Sequence, residues 1–97
     1  TTPDASRLRQ YAALMAAARA PHPSPEWIAP AVEAVRRAAP DDAAAARLLA
    51  QGAVALLVAV GTLNDENRQA VLRAAGSLEP SPAAEYLRGE LAWRLEP

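Results

Sequence analysis

From Asp41 to Gly61 the chain is an Ala/Leu/Val run in which Arg47 and Gln51 are the only polar side chains between Ala43 and Val60. A helix lying on a protein surface shows one apolar stripe, whereas a helix apolar on all sides must be covered on most of them. The run therefore predicts the central helix of a small bundle, or one half of a subunit interface. Its length invites comparison with a membrane span. Arg47 would cost about 2.5–3.5 kcal/mol inside a bilayer, and the uninterrupted apolar part, Ala53 to Val60, covers less than half of the ~20 residues needed. No membrane insertion is expected.

The chain has 97 residues, which fits a single helical domain over 1–97. About a quarter of those residues are alanine. Alanine favours helix more than any other residue but buries little area, so the core is expected to be thin, with close helix–helix contacts. Phe is absent, and the large anchors available are Tyr11, Met15, Trp27, Ile28, Tyr86 and Trp93. Net charge is −1 and all basic residues are dispersed arginines, which argues against nucleic acid as partner. Without cysteine there is no disulfide framework and no thiolate site. With no signal-peptide pattern at Thr1-Thr2-Pro3-Asp4, the expected location is cytoplasmic.

Punctuation places the helices. Thr2-Pro3-Asp4 signals a first helix over about 3–20, with Leu8, Tyr11, Met15 and Ala18 inward and Arg7, Gln10 and Arg19 solvated. Prolines 21, 23 and 25 end it. Ser24-Pro25-Glu26 is a second start. Pro30 reads as too deep for a first-turn proline, so Glu26–Ala29 is expected as a separate turn or the short arm of a kinked helix. The main second helix then runs over about 30–39, with Val32, Val35 and Ala39 inward. Asp41 is expected to cap the central helix, which Gly52 would break or Gly61 would end. Asn64-Asp65-Glu66 opens the next helix and Gly76 closes it. Ser81-Pro82 opens the last, where Leu87, Leu91 and Leu95 form a stripe that Tyr86 and Trp93 widen. No segment alternates in the manner of a strand. The fold class is all-α: a compact antiparallel bundle of five to six helices with short loops.

Chemistry is sparse. His22, the one histidine, lies between two prolines on a loop, where nothing fixes its ring for acid–base work. Zinc would need Cys/His ligands that are missing, so no metal is expected. Asp41-Asp42 and Asp65-Glu66 are carboxylate pairs, but both fall at helix starts, where the macrodipole favours acids. The glycines are isolated and form no phosphate loop, and no cofactor is expected. A helix-turn-helix around Gly61 is the alternative, a DNA-binding regulator. Its recognition helix would present Asn64, Asp65, Glu66 and Asn67 to phosphate, offset only in part by Arg68 and Arg73. A small-ligand or lipid bundle is a third possibility.

The stretch from Gly61 through Ala70, Pro80 and Tyr86 loosely resembles tetratricopeptide-type helix hairpins, with a turn Gly, a packing Ala and a Pro before the next helix. Its spacing departs from the 34-residue pattern of that family. In size and helix count the chain also resembles the death-fold class, on architecture alone. Both resemblances imply a protein-interaction module. Trp, Tyr and Arg are enriched at binding hot spots, so Tyr86, Trp93 and Arg94 form the candidate partner-binding cluster, with Trp27 second. The competing expectation is that both tryptophans seal the ends of the thin core. The reading is a helical interaction or adaptor domain without catalysis, binding a protein partner or a second copy of itself.

Overall fold

The computed structural model describes residues 4–95. Within them the chain forms α1 (Ala5–Ala18), α2 (Ile28–Ala38), α3 (Ala43–Val60), α4 (Asp65–Gly76) and α5 (Pro82–Leu95), with a 3-10 turn at Pro25–Trp27 leading into α2. No strand occurs among the described residues. The expected all-α bundle is what the chain forms.

Most helix starts follow the capping chemistry of the sequence. The amide of Ala45 donates to Asp42 at 3.1 Å, that of Asn67 to Asn64 at 2.8 Å, and that of Ala84 to the Ser81 hydroxyl at 3.1 Å. Each satisfies one of the amides that a helix start leaves without an internal partner. The cap of α3 is thus Asp42, not Asp41, whose exposed carboxylate pairs instead with Arg7. Thr2 and Pro3, expected to open the first helix, lie outside the described residues. Asp4 holds the cap position of α1, with its side chain turned to the Ser6 hydroxyl.

Neither Pro30 nor Gly52, the two points at which the sequence left a break open, interrupts its helix. Pro30 is the third residue of α2, still within the first turn, where its missing N–H costs no internal hydrogen bond. The Pro25–Trp27 turn is nevertheless separate, as expected. Gly52 lies in the middle of an unbroken α3 and is buried. A Cβ built there would come within 3.0 Å of Leu14 Cδ1 and 3.1 Å of Leu14 Cβ, so the missing side chain is the space that α1 occupies. Gly61 ends α3 with φ of 83°, a value suited to glycine.

The core is alanine-rich. Of the 21 buried apolar residues ten are alanine, which lets helix axes come close. Leu56 and Leu57 are both buried although they point about 100° apart, as a central helix requires. The inward residues of α2 are Val32, Val35 and Ala38, with Ala39 only half-buried. α1 turns differently from expectation. Tyr11, Leu14 and Ala17 meet the core, Leu8 is largely exposed, and no residue of α1 is fully buried.

Directions are mixed. α2 folds back on α3 through the short connection 39–42, antiparallel to it. α1 runs parallel to α3, since Asp4 meets Asp42 and Leu14 meets Gly52. α5 is parallel too: Pro82 and Ala83 lie by Ala43 and Ala46, and Trp93 and Arg94 lie by Leu57 and Val58. α1 packs on α3 and makes no comparable contact with any other helix. The Cα extents of 37 × 29 × 17 Å describe a slab about two helices thick.

The polar clamp on α1 sits at one end. The Asp4 amide donates to Asp42 at 3.1 Å, and the Arg7 guanidinium reaches Asp41 at 3.2 Å, Asp42 at 3.6 Å and the Arg37 carbonyl at 3.4 Å. Arg7, expected to be solvated, is therefore a docking residue. The amides of Asp4 and Ala45, with a smaller contribution from Arg7, hold the Asp42 carboxyl below its ordinary pKa.

Substituting Gly52 by Val should destabilise the domain by about 1–3 kcal/mol through overpacking against Leu14. Gly89→Ala, on an open helix face, should stabilise it by about 0.5–1 kcal/mol. Urea melts of the two variants decide the pair, and equal signs would contradict the close approach of α1. A lowered carboxyl pKa stabilises the fold above its unfolded value and stops doing so as pH falls through the folded one. The wild type should accordingly lose stability as pH drops below about 4, and Asp42→Asn should flatten that part of the pH profile.

Candidate functional site

Tyr86 and Trp93 are seven residues apart on α5 and point within about 20° of each other, roughly 120–140° from the middle of the buried stripe of Leu87 and Leu91. Both therefore leave the core. Tyr86 is 43% exposed, Trp93 66% and Trp27 44%. The expectation that the tryptophans seal the core is overturned, as is the expectation that Tyr86 and Trp93 widen the α5 stripe. Of the six anchors read from the sequence only Ile28 is fully buried. The core is closed by leucine, valine and alanine, whose sizes match the short distances between the helices.

The α5 residues are held in place. Glu90, one turn from both Trp93 and Arg94, accepts from Trp93 Nε1 at 3.3 Å and from Arg94 Nε at 3.2 Å. The Arg94 guanidinium carbon lies 4.3 Å from the Trp93 ring centroid. A cation over an exposed indole contributes about 0.5–1 kcal/mol. Its more useful effect here is to fix the indole before anything binds, which reduces the rotamer entropy lost on association.

Sequence reasoning missed Val58. The central helix was expected to be consumed by the core, yet Val58 is 54% exposed. With Leu57, Gly61, Trp93 and Arg94 it lines a shallow depression of about 260 Å³ where the C-terminal ends of α3 and α5 meet. A signal existed: Val58 lies seven residues beyond Gln51, which lies four beyond Arg47, and those intervals keep all three on one helix face. The two polar residues mark the outward side, and Val58 is on it.

The structure brings Tyr86, Trp93 and Arg94 together on one helix. Trp27 is not part of that group, because its 3-10 turn packs mainly on α2 and α3. Arg88 has a different task. Its guanidinium donates to the carbonyls of Ala75 and Leu78 and so ties α5 to the end of α4.

The other sequence candidates are scattered. His22 is exposed in the connection between α1 and α2. Among the described residues no three His, Cys, Asp or Glu side chains converge to hold a metal ion. Asp65 and Glu66 occupy the first turn of α4, and the Asp65 carboxylate, 93% exposed, pairs with Arg68 at 3.0 Å. α3 has the length and mean hydropathy (1.9) of a spanning segment, and half of it is buried inside the bundle.

Comparison with known proteins yields no match: no family model, no curated protein and no solved structure aligns with the chain.

Because Tyr86 and Trp93 project outward, Tyr86→Ala and Trp93→Ala should each lower the unfolding free energy by no more than about 1 kcal/mol, well short of the roughly 3–5 kcal/mol typical of a core aromatic. Acrylamide should quench both tryptophans in the native protein nearly as well as in urea. A strongly protected indole would return that residue to the core.

Proposed function

We propose that this chain is a small helical protein–protein interaction domain, an adaptor without chemistry or cofactor of its own, acting in the cytoplasm on a protein partner or a second copy. One observation carries the reading: an exposed indole, Trp93, ordered by Glu90 and Arg94 beside the exposed aliphatic Val58, with Tyr86 exposed two turns away on the same face of α5. Interface hot spots are enriched in these residue types because a rigid amphipathic ring buries much area at small entropy cost. A half-exposed valine on the outward side of α3 supplies the apolar centre that such a contact needs. The resemblance to tetratricopeptide-type hairpins and to death-fold modules agrees with this use of helix faces.

Light scattering over a range of concentrations, followed by capture of partners from the source cell, tests the proposal. The expected result is a dimer or a defined partner complex. Trp93→Ala should weaken it by about 2 kcal/mol, roughly thirtyfold, with the helical circular dichroism unchanged. A monomer whose partner binding survives both Trp93→Ala and Tyr86→Ala would refute the α5 site. A salt-dependent mobility shift with duplex DNA would instead favour the regulator reading.

A further inference from the structure

α2 and α4 leave an open groove of about 570 Å³ between them. Its floor is small and apolar, with Ala29, Ala70 and Ala74, and its polar lining is Glu33, Arg37, Arg73 and Ser77. The charges on that lining are not balanced. Glu33 is already matched, since its carboxylate receives Arg36 Nε at 2.8 Å. Arg37 and Arg73 are both exposed, and among the described residues neither has a carboxylate within 4.0 Å. Each stands in the last turn of its helix, where the macrodipole favours a cation. The dipole explains why an arginine is stable at each place. It does not explain why both border the same groove.

The dimensions suit a peptide. Ala29 to Arg37 is eight residues of helix, about 12 Å, which roughly four extended residues would cover. A floor of alanines leaves room for an incoming apolar side chain. Guanidinium groups on both helices offer paired N–H donors with the geometry of a carboxylate. No aromatic ring lines the groove, so it has no platform for stacking bases.

We infer that the α2/α4 groove binds an acidic peptide segment of a protein partner. Arg37 and Arg73 each engage a carboxylate while an apolar side chain rests on Ala29, Ala70 and Ala74. This surface is separate from the α5 cluster, and the inference does not rest on that site.

The test uses the full chain and three fluorescent probes: a short peptide of Glu, Leu and Ser, its counterpart with every Glu replaced by Gln, and a single-stranded oligothymidylate. Anisotropy should show binding of the Glu peptide alone, weakened at least about tenfold by 0.5 M salt. Arg37→Glu and Arg73→Glu should each weaken it at least about tenfold while keeping the wild-type helical circular dichroism at the assay temperature, with only the small drop in melting temperature that a last-turn carboxylate causes, and Arg→Lys should retain part of it. Amide shifts on binding should cluster at Ala29, Ala70, Ala74 and Ser77. Equal binding of the Gln peptide, indifference to charge reversal, shifts centred on α5, preference for the oligonucleotide, or no binding of the Glu peptide at millimolar concentration would each overturn the inference. Trp93→Ala should leave the affinity for the peptide unchanged, so failure of the α5 site and failure of this one are told apart.

Discussion

How closely helices can approach α3 decides the rest of this structure. Alanine on the facing sides lets neighbouring backbones come near, and at Gly52 even a methyl group would have to displace Leu14 by a few tenths of an ångström. Close approach compensates in dispersion contacts for what small side chains lack in buried area. It also leaves no volume for an indole between the helices. Tyr86 and both tryptophans are exposed because the core that formed around α3 is filled by leucine, valine, isoleucine and alanine, and a Trp93 at the surface follows from the packing of the interior. The bundle and its candidate contact site have one cause.

Much of the fold was legible in the sequence, because helix ends are local events. Asn64 and Ser81 cap where their spacing to the following apolar residues says they should, and Leu56 and Leu57 are buried as an all-apolar helix demands. The misreadings need information from elsewhere in the chain. Gly52 looks like a break until Leu14, 38 positions earlier, is known to lie over it. Asp41 and Asp42 are equivalent acids in sequence; Asp42 alone has the backbone position that offers its carboxylate to Ala45, and Asp41 is left for Arg7. The inward side of α1 is Tyr11, Leu14 and Ala17 because that face lies over Gly52 and its neighbours on α3.

The candidate site was half legible. Residue type alone pointed to Tyr86, Trp93 and Arg94, but hydrophobicity could not say whether large side chains fill a core or stand off it. That depends on the volume between the helices. Glu90, which fixes Trp93 and Arg94, is an ordinary surface acid by sequence and acquires its role from the three- and four-residue intervals of a helix. The α2/α4 groove could not be read at all, since it exists only where two helices distant in the chain run side by side.

The packing of α1 almost wholly on α3 has a consequence for the order in which the protein is made. α1 is synthesised before the other helices of this bundle, yet the surface that receives it is not made until α3 is complete, some forty residues later. A fourteen-residue helix is marginal in water without a surface to pack on. During that interval α1 fluctuates between helix and coil, restrained by the proline-rich connection behind it. Its docking is a late event that requires the rest of the slab to be in place. The nascent chain thus carries an unsatisfied Tyr11 and Leu14 until α3 is complete, the period in which contact with another chain or a chaperone competes with the native fold.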